Sequence, residues 1–182
     1  MAKKENSKDK KLKALLSDLS SADAKKQLAA VKSLKVHGNE TVIDPLLETY
    51  ISTDDERLKL EITDLLNTLK SASVPPVISK ALMNKKYAGI RQMLLASIWN
   101  SGLDYNDHLR EIISAASQGD MMEALECITI IENIEGTLTE DQLFEPILVL
   151  KEYLVQNRDE QSPKMDMLKE IALILQQRND AL

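Results

Sequence analysis

Few residues of this chain have side chains suited to catalysis or metal binding, and those few are scattered. The 182 residues include one cysteine, Cys127, and two histidines, His37 and His108. A catalytic nucleophile needs a base and an orienting group within reach, and a structural zinc site needs four clustered ligands. Cys127 falls on the apolar face of a predicted helix, and both histidines lie in other elements. These residues indicate a buried structural cysteine and predict no catalytic or metal site.

Motifs that hold phosphate or calcium are also missing from the sequence. Neither G-x-x-x-x-G-K-[ST] nor G-x-G-x-x-G occurs among the five glycines, so no phosphate-binding loop is predicted. The acidic run Asp54-Asp55-Glu56 lacks the alternation of a calcium loop and suits a helix N-terminus instead. We therefore predict that the protein is not an enzyme and binds no cofactor.

Composition and charge narrow the class of protein further. The formal net charge is −6, which gives no overall attraction to nucleic acid. A single cysteine allows no disulfide within the chain, as expected in a reducing compartment such as the cytoplasm. No stretch approaches the roughly 20 apolar residues of a membrane span. Five glycines, five prolines and 43% hydrophobic residues are typical of a water-soluble helical protein.

The first 13 residues differ from the rest of the chain. The segment 1–13, MAKKENSKDKKLK, contains six lysines and no apolar periodicity. We predict a basic, flexible tail followed by a single domain over 14–182. An alternative function follows from this segment alone, in which the lysines bind nucleic acid or another anionic surface.

The elements that would position any site repeat along the chain. Between Ser73 and Gly102, a serine cap and two prolines open one helix, a polar turn follows, and a second helix ends at the glycine. The apolar markers of the second helix recur in steps of 32, 32 and 33 residues, at Leu34, Leu66, Ile98 and Ile131. Periods of this length indicate stacked helical hairpins.

Local signals predict where several helices begin. Ser21 is predicted to cap the helix that runs to His37. Two capping boxes are predicted, one at Thr53 with Glu56 and one at Thr139 with Gln142. Ser162-Pro163 is predicted to open the last helix, which runs to about residue 177.

Two segments resemble HEAT repeats of the short, bacterial kind: VPPVISKALMNKKYAGIRQMLLASIWNSG and VIDPLLETYISTDDERLKLEITDLLNTLK. The resemblance covers about residues 20–157. It implies an all-α fold, a right-handed superhelix of about four HEAT-like hairpins plus terminal helices, and a role in binding other macromolecules. Of the family's turn-aspartate and helix-arginine pairs, only Arg91 is present. Tetratricopeptide repeats have a similar period but require recurrent aromatic residues, and this chain has one tryptophan and one phenylalanine.

The resemblance also admits enzymes, because some HEAT-like solenoids resemble phycobilin lyases and some are alkyl-DNA glycosylases. The glycosylase type uses a basic concave groove. Here the helices predicted to line that groove are mainly acidic, which is the wrong sign for a phosphate backbone. Their carboxylates are Glu40, Asp44, Glu48, Asp107, Glu111, Glu140, Asp141, Glu145 and Glu152, against Lys80, Arg110 and Lys151.

The predicted function is that of a non-catalytic scaffold or adaptor. We expect Asp44 and Glu48 to contribute to an acidic surface for a protein partner with a basic surface. Trp99 is either half-buried between hairpins or an exposed anchor for a partner. Leu173 and Ile174 make the last helix more apolar than one packed face requires. These residues predict one of two arrangements. Either the preceding helix covers them, or they dock a second copy, as a homodimer, or a partner helix.

Overall fold

A computed structural model describes residues 7–181, and every regular element in that range is helical. Three short 3-10 helices cover Glu40–Val42, Lys85–Ile90 and Asn106–His108. The ten α-helices are α1 Ser7–Leu19, α2 Ala24–His37, α3 Ile43–Ser52, α4 Glu56–Thr68, α5 Val74–Leu82, α6 Arg91–Ser101, α7 Leu109–Gln118, α8 Met121–Glu132, α9 Glu140–Gln156 and α10 Pro163–Asp180. The all-α prediction is confirmed.

The helices form two compact units that divide within α5. The N-terminal unit comprises residues 1–77 and the C-terminal unit comprises residues 78–182. Each unit has its own buried apolar residues. The prediction of a single domain over 14–182 stays a prediction.

In the N-terminal unit, α2 packs against α1 and α4, and α3 packs against α1 and α4. The repeat markers Leu34 and Leu66 are both buried. Lys35 on α2 forms ion pairs with Glu61 and Asp64 on α4. These contacts hold the pKa of Glu61 below, and that of Lys35 above, their ordinary values.

In the C-terminal unit, the helices form two layers. One layer contains α6, α8 and α10, with α8 in contact with both of the others, and the second contains α7 packed against α9. Contacts of α7 with α8 and of α9 with α10 join the layers. The markers Ile98 and Ile131 are both buried in this unit.

Several predicted helix ends are confirmed. Thr139 and Gln142 form a reciprocal capping box at the start of α9. The Ser162 hydroxyl accepts a hydrogen bond from the Met165 N–H, and Pro163 is the first residue of α10. Gly102 ends α6 with a φ of 61°, in the left-handed region that glycine enters without steric cost.

Two predicted caps are wrong by two residues. Helix α2 is capped by Asp23 instead of Ser21, whose hydroxyl instead donates to the Asp18 carbonyl at the end of α1. Helix α4 is capped by Asp55 instead of Thr53. Thr53 is the C-cap of α3 in an extended conformation. Because Ser21 and Thr53 each interact with the end of the preceding helix, the aspartate two residues later initiates the next one.

The predicted N-terminal tail is partly helical. Helix α1 begins at Ser7, so residues 7–13 of the predicted flexible tail are helical, while residues 1–6 lie outside the described range. The flexibility of this segment stays a prediction. Leu12, Leu15 and Leu16 are half-buried, and Leu19 is fully buried. These leucines recur at helical spacing and form the packed side of α1. The helix therefore continues in the N-terminal direction into the lysine-rich residues, whose side chains face water.

A capping box that was not predicted fixes the start of α8. The Asp120 carboxylate accepts hydrogen bonds from the N–H groups of Met122 and Glu123, and the Glu123 carboxylate accepts one from the Asp120 N–H at 2.7 Å. Glu123 is buried and lies 3.9 Å from the Arg91 guanidinium of α6. The arginine of the HEAT-like pattern therefore contacts a helix carboxylate of the next hairpin and not a turn aspartate.

Candidate functional site

The residues that could perform covalent chemistry are not brought together. Cys127 is fully buried in α8, and burial raises the pKa of its thiol to about 12. A thiol with such a pKa is protonated at neutral pH and is a poor nucleophile. His37 lies at the end of α2, where its Nε2 is 2.8 Å from the Lys11 Nζ. Between residues 7 and 181, no group of three or more His, Cys, Asp or Glu side chains could hold a metal ion.

Trp99 is neither fully buried nor a free anchor. Its side chain on α6 is 42% exposed, and its indole N–H donates a hydrogen bond of 2.9 Å to the Glu126 carboxylate on α8. The amide of Gln92, two turns earlier on α6, reaches the same carboxylate at 3.5 Å. The indole therefore has a fixed position between two neighbouring hairpins while part of it stays in contact with water.

A cleft of about 440 Å³ opens beside Trp99 at one end of the C-terminal unit, which we call the Trp99 cleft. Its floor contains the buried side chains of Ile98, Leu109 and Ile130. Asp104 and Glu135 stand at its exposed rim. Volumes of this order accommodate a side chain or a small ligand.

Asp44 and Glu48 lie together, as the sequence predicted for one helix face. They are one turn apart on α3, and both are exposed while Ile43, Leu46 and Leu47 are buried. The pair belongs to the N-terminal unit, whereas the other predicted site residues belong to the C-terminal unit.

Leu173 and Ile174 differ in their surroundings. Leu173 is 58% exposed, and Ile174 is half-buried at the edge of the packed face. The residues that share the exposed face of α10 with Leu173 are polar, namely Asp166, Lys169, Glu170, Gln176 and Gln177. A single apolar side chain among polar ones is normal at a protein surface. The homodimer that these residues predicted stays a prediction.

The larger exposed apolar surface lies on α9. Phe144, Leu148 and Val155 are 65%, 43% and 63% exposed. At about 100° per residue they fall within about 40° of one another on the helix. We call these three residues the α9 apolar stripe. Leu143 and Leu150, which are buried, occupy the opposite side of the helix.

A row of carboxylates borders that stripe. Asp141, Glu145 and Glu152 are exposed and occupy the next 60° or so of the helix surface. We call them the α9 acidic row. Glu145 forms a 2.9 Å ion pair with Arg110 on α7, so the acidic row lies on the α7 side of α9. The stripe lies on the side away from α7.

The α9 apolar stripe was not predicted, although the sequence contains a signal for it. The segment FEPILVLKEYLV has apolar residues on more of the helix circumference than one packed face needs. From the sequence, this helix was predicted only to cover the apolar surplus of α10 and to contribute carboxylates to an acidic groove. In the structure α9 does contact α10, and Ile147 and Leu154 are half-buried, but the stripe stays exposed.

Comparisons with known proteins give no relative for this chain. Searches against protein-family models, curated proteins and solved structures each found no match. None of the helices between residues 7 and 181 combines the length and the apolar composition that crossing a bilayer requires.

Proposed function

We propose that this protein is a non-catalytic scaffold or adaptor that binds a partner protein through α9. The observation that carries the proposal is the α9 apolar stripe next to the α9 acidic row. A contiguous exposed apolar surface rimmed by charge is the usual mark of an interaction site. We further propose that the hairpins form the HEAT-like, right-handed superhelix that the repeat pattern predicts, and that the protein acts in the cytoplasm.

The surface chemistry of α9 suits one kind of partner, a cationic amphipathic helix. Phe144, Leu148 and Val155 follow the i, i+4, i+11 spacing of three helical turns, which an apolar helix face can match. The neighbouring Asp141, Glu145 and Glu152 would face the lysines or arginines of such a helix. The only basic residue of α9, Lys151, lies at the far edge of the stripe.

The carboxylates of α3 contribute at long range in this proposal. Asp44 and Glu48 are exposed and add to the net charge of −6. Exposed charges increase the rate of encounter with an oppositely charged partner more than they increase affinity. Charge reversal by Asp44→Lys with Glu48→Lys should therefore slow association and flatten its salt dependence.

The test uses a fluorescently labelled 18-residue peptide of leucine and lysine, patterned as an amphipathic helix, and the full-length protein. Fluorescence anisotropy of the label should rise with protein concentration. The matching leucine–glutamate peptide should not bind, because its charges repel the acidic row. Equal binding of both peptides would contradict the proposed charge complementarity.

Surface variants locate the binding site. Leu148→Ser should weaken binding of the leucine–lysine peptide by about tenfold, since one buried leucine contributes about 1.5 kcal/mol or more. Leu173→Ser is the matched control, because Leu173 is at least as exposed but lies outside the stripe. If the two variants bind equally well, the partner does not use α9.

Sedimentation of the same proteins tests the predicted homodimer. Leu173→Glu with Ile174→Glu should reduce the mass to that of a monomer if α10 docks a second copy. A monomer before and after the substitution, with peptide binding unchanged, would leave α10 as an ordinary terminal helix.

A further inference from the structure

We propose that the Trp99 cleft is a receptor for one cationic side chain, an arginine or a lysine, of a partner protein. The inference extends the proposed protein-binding role to a different surface, at the C-terminal ends of α6 and α8. It shares no residue with the α9 apolar stripe or the α9 acidic row.

The shape of the cleft suits a long side chain with an apolar stem. Its apolar floor is formed by Ile98, Leu109 and Ile130, and Leu103 and Tyr105 add further apolar surface. The aliphatic part of an arginine or lysine can cover such a floor while the charged group stays at the rim. A volume of about 440 Å³ leaves room for one such side chain and the water around it.

The charge of the cleft also suits a cation. Asp104 and Glu135 are exposed at the rim, and the Glu126 carboxylate accepts the hydrogen bond from the indole N–H of Trp99. Helices α6 and α8 both end at the cleft, at Gly102 and Asn133. The carbonyl groups at a helix C-terminus carry partial negative charge and attract cations.

At the edge of the cleft, a cationic side chain of the protein itself binds backbone carbonyls at the end of α8. The guanidinium of Arg178 donates hydrogen bonds to the carbonyls of Ile131 and Ile134, at 3.4 and 3.1 Å. Arg178 brings one positive charge to the edge of the cleft. The two rim carboxylates and Glu126 outnumber it.

Trp99 supplies the aromatic contact. Tryptophan is the best partner for a cation among the aromatic side chains, provided that its ring is accessible. The hydrogen bond to Glu126 holds the indole in place before any ligand arrives. A pre-positioned ring avoids the entropic cost of ordering a side chain during binding.

The fluorescence of Trp99 gives a direct assay, because the sequence contains no other tryptophan. The protein is titrated with an alanine-rich peptide that carries a single arginine, and in parallel with the same peptide carrying citrulline. Citrulline has nearly the same shape and no charge. We expect the arginine peptide to change the emission saturably and the citrulline peptide to cause at most a small change.

Substitutions at the rim test whether the response comes from the cleft. Asp104→Asn with Glu135→Gln should weaken arginine-peptide binding by about fivefold or more, since both carboxylates that attract the guanidinium are neutralised while their shape is kept. Glu132→Gln is the matched control, because it removes one exposed carboxylate of α8 that does not line the cleft. A fivefold loss confined to the rim variant supports the proposal, and an equal loss in both proteins overturns it.

Two further outcomes would overturn the inference. The first is an equal response to the arginine and citrulline peptides. The second is binding of putrescine as tightly as the arginine peptide, which would identify a small-molecule site instead of a protein-docking site. Leu148→Ser should leave this titration unchanged, so failure of the Trp99 cleft and failure of the α9 proposal are distinguishable.

Discussion

Replacement of Gly119 by alanine should destabilise the C-terminal unit, although the backbone conformation at this position suits any residue. Gly119 has a φ of −87° and caps the end of α7. A Cβ atom there would overlap the Glu123 carboxylate, coming within 2.5 Å of its Cδ and 2.8 Å of the Ala115 carbonyl oxygen. The Glu123 carboxylate cannot easily move, because it completes the capping box of α8 and is buried beside Arg91.

The expected magnitude follows from three terms. Loss of the reciprocal cap costs about 1 kcal/mol. Displacement of the Ala115 carbonyl and the surrounding side chains costs a further 1–3 kcal/mol or so, as in other overpacked sites. The lower entropy of the unfolded chain offsets about 0.4–1 kcal/mol of this. The net loss of unfolding free energy should therefore be about 1–3 kcal/mol.

Urea unfolding followed by circular dichroism measures this difference. Gly89→Ala is the matched control, because nothing lies within 4 Å of a Cβ built at Gly89. That substitution should be neutral or should stabilise the protein by up to about 1 kcal/mol. If Gly119→Ala unfolds at the same urea concentration as Gly89→Ala, the steric argument at Gly119 is wrong.

Four other substitutions have defined outcomes. Ile98→Ala should reduce the unfolding free energy by about 2–5 kcal/mol in urea titrations, because truncation of a buried side chain leaves a cavity. Lys35→Met should lower the melting temperature at neutral pH. In acid, the melting temperature of the variant should approach that of the wild type. The lowered pKa of Glu61 makes this ion pair stabilising above the ordinary value of 4.5, and the stabilisation is lost as pH falls through the lower folded pKa. Arg178→Met should cost about 1–3 kcal/mol in the same titrations, because one carbonyl in the last turn of α8 and one in the loop after it lose a charged donor. Lys169→Met on the exposed face of α10 should change stability by less than about 0.5 kcal/mol.

The features that could be predicted from the sequence are those that short-range patterns determine. The markers Leu34, Leu66, Ile98 and Ile131 are all buried, because each belongs to an apolar stripe that any partner helix would cover. The capping box at Thr139 was predicted for the same reason, since both of its hydrogen bonds lie within four residues.

Contacts between hairpins could not be predicted in this way. The pairing of Trp99 with Glu126 and that of Arg91 with Glu123 join residues about one repeat apart. Which of several carboxylates an arginine or an indole reaches depends on the crossing of two helices, and no local pattern specifies it. The exposure of Phe144 on α9 could not be predicted for the same reason. An apolar residue outside the packed face of a helix is buried only if another helix packs against it.

The burial of Cys127 makes its thiol a probe for transient opening of the structure. It is the single thiol of the sequence, is fully enclosed, and is held protonated. A thiol reagent can modify it only after the helices around α8 separate, so the labelling rate under native conditions gives the free energy of that opening. Comparison of this free energy with the value from global unfolding would show whether the core of the C-terminal unit opens by itself or only when the whole chain unfolds.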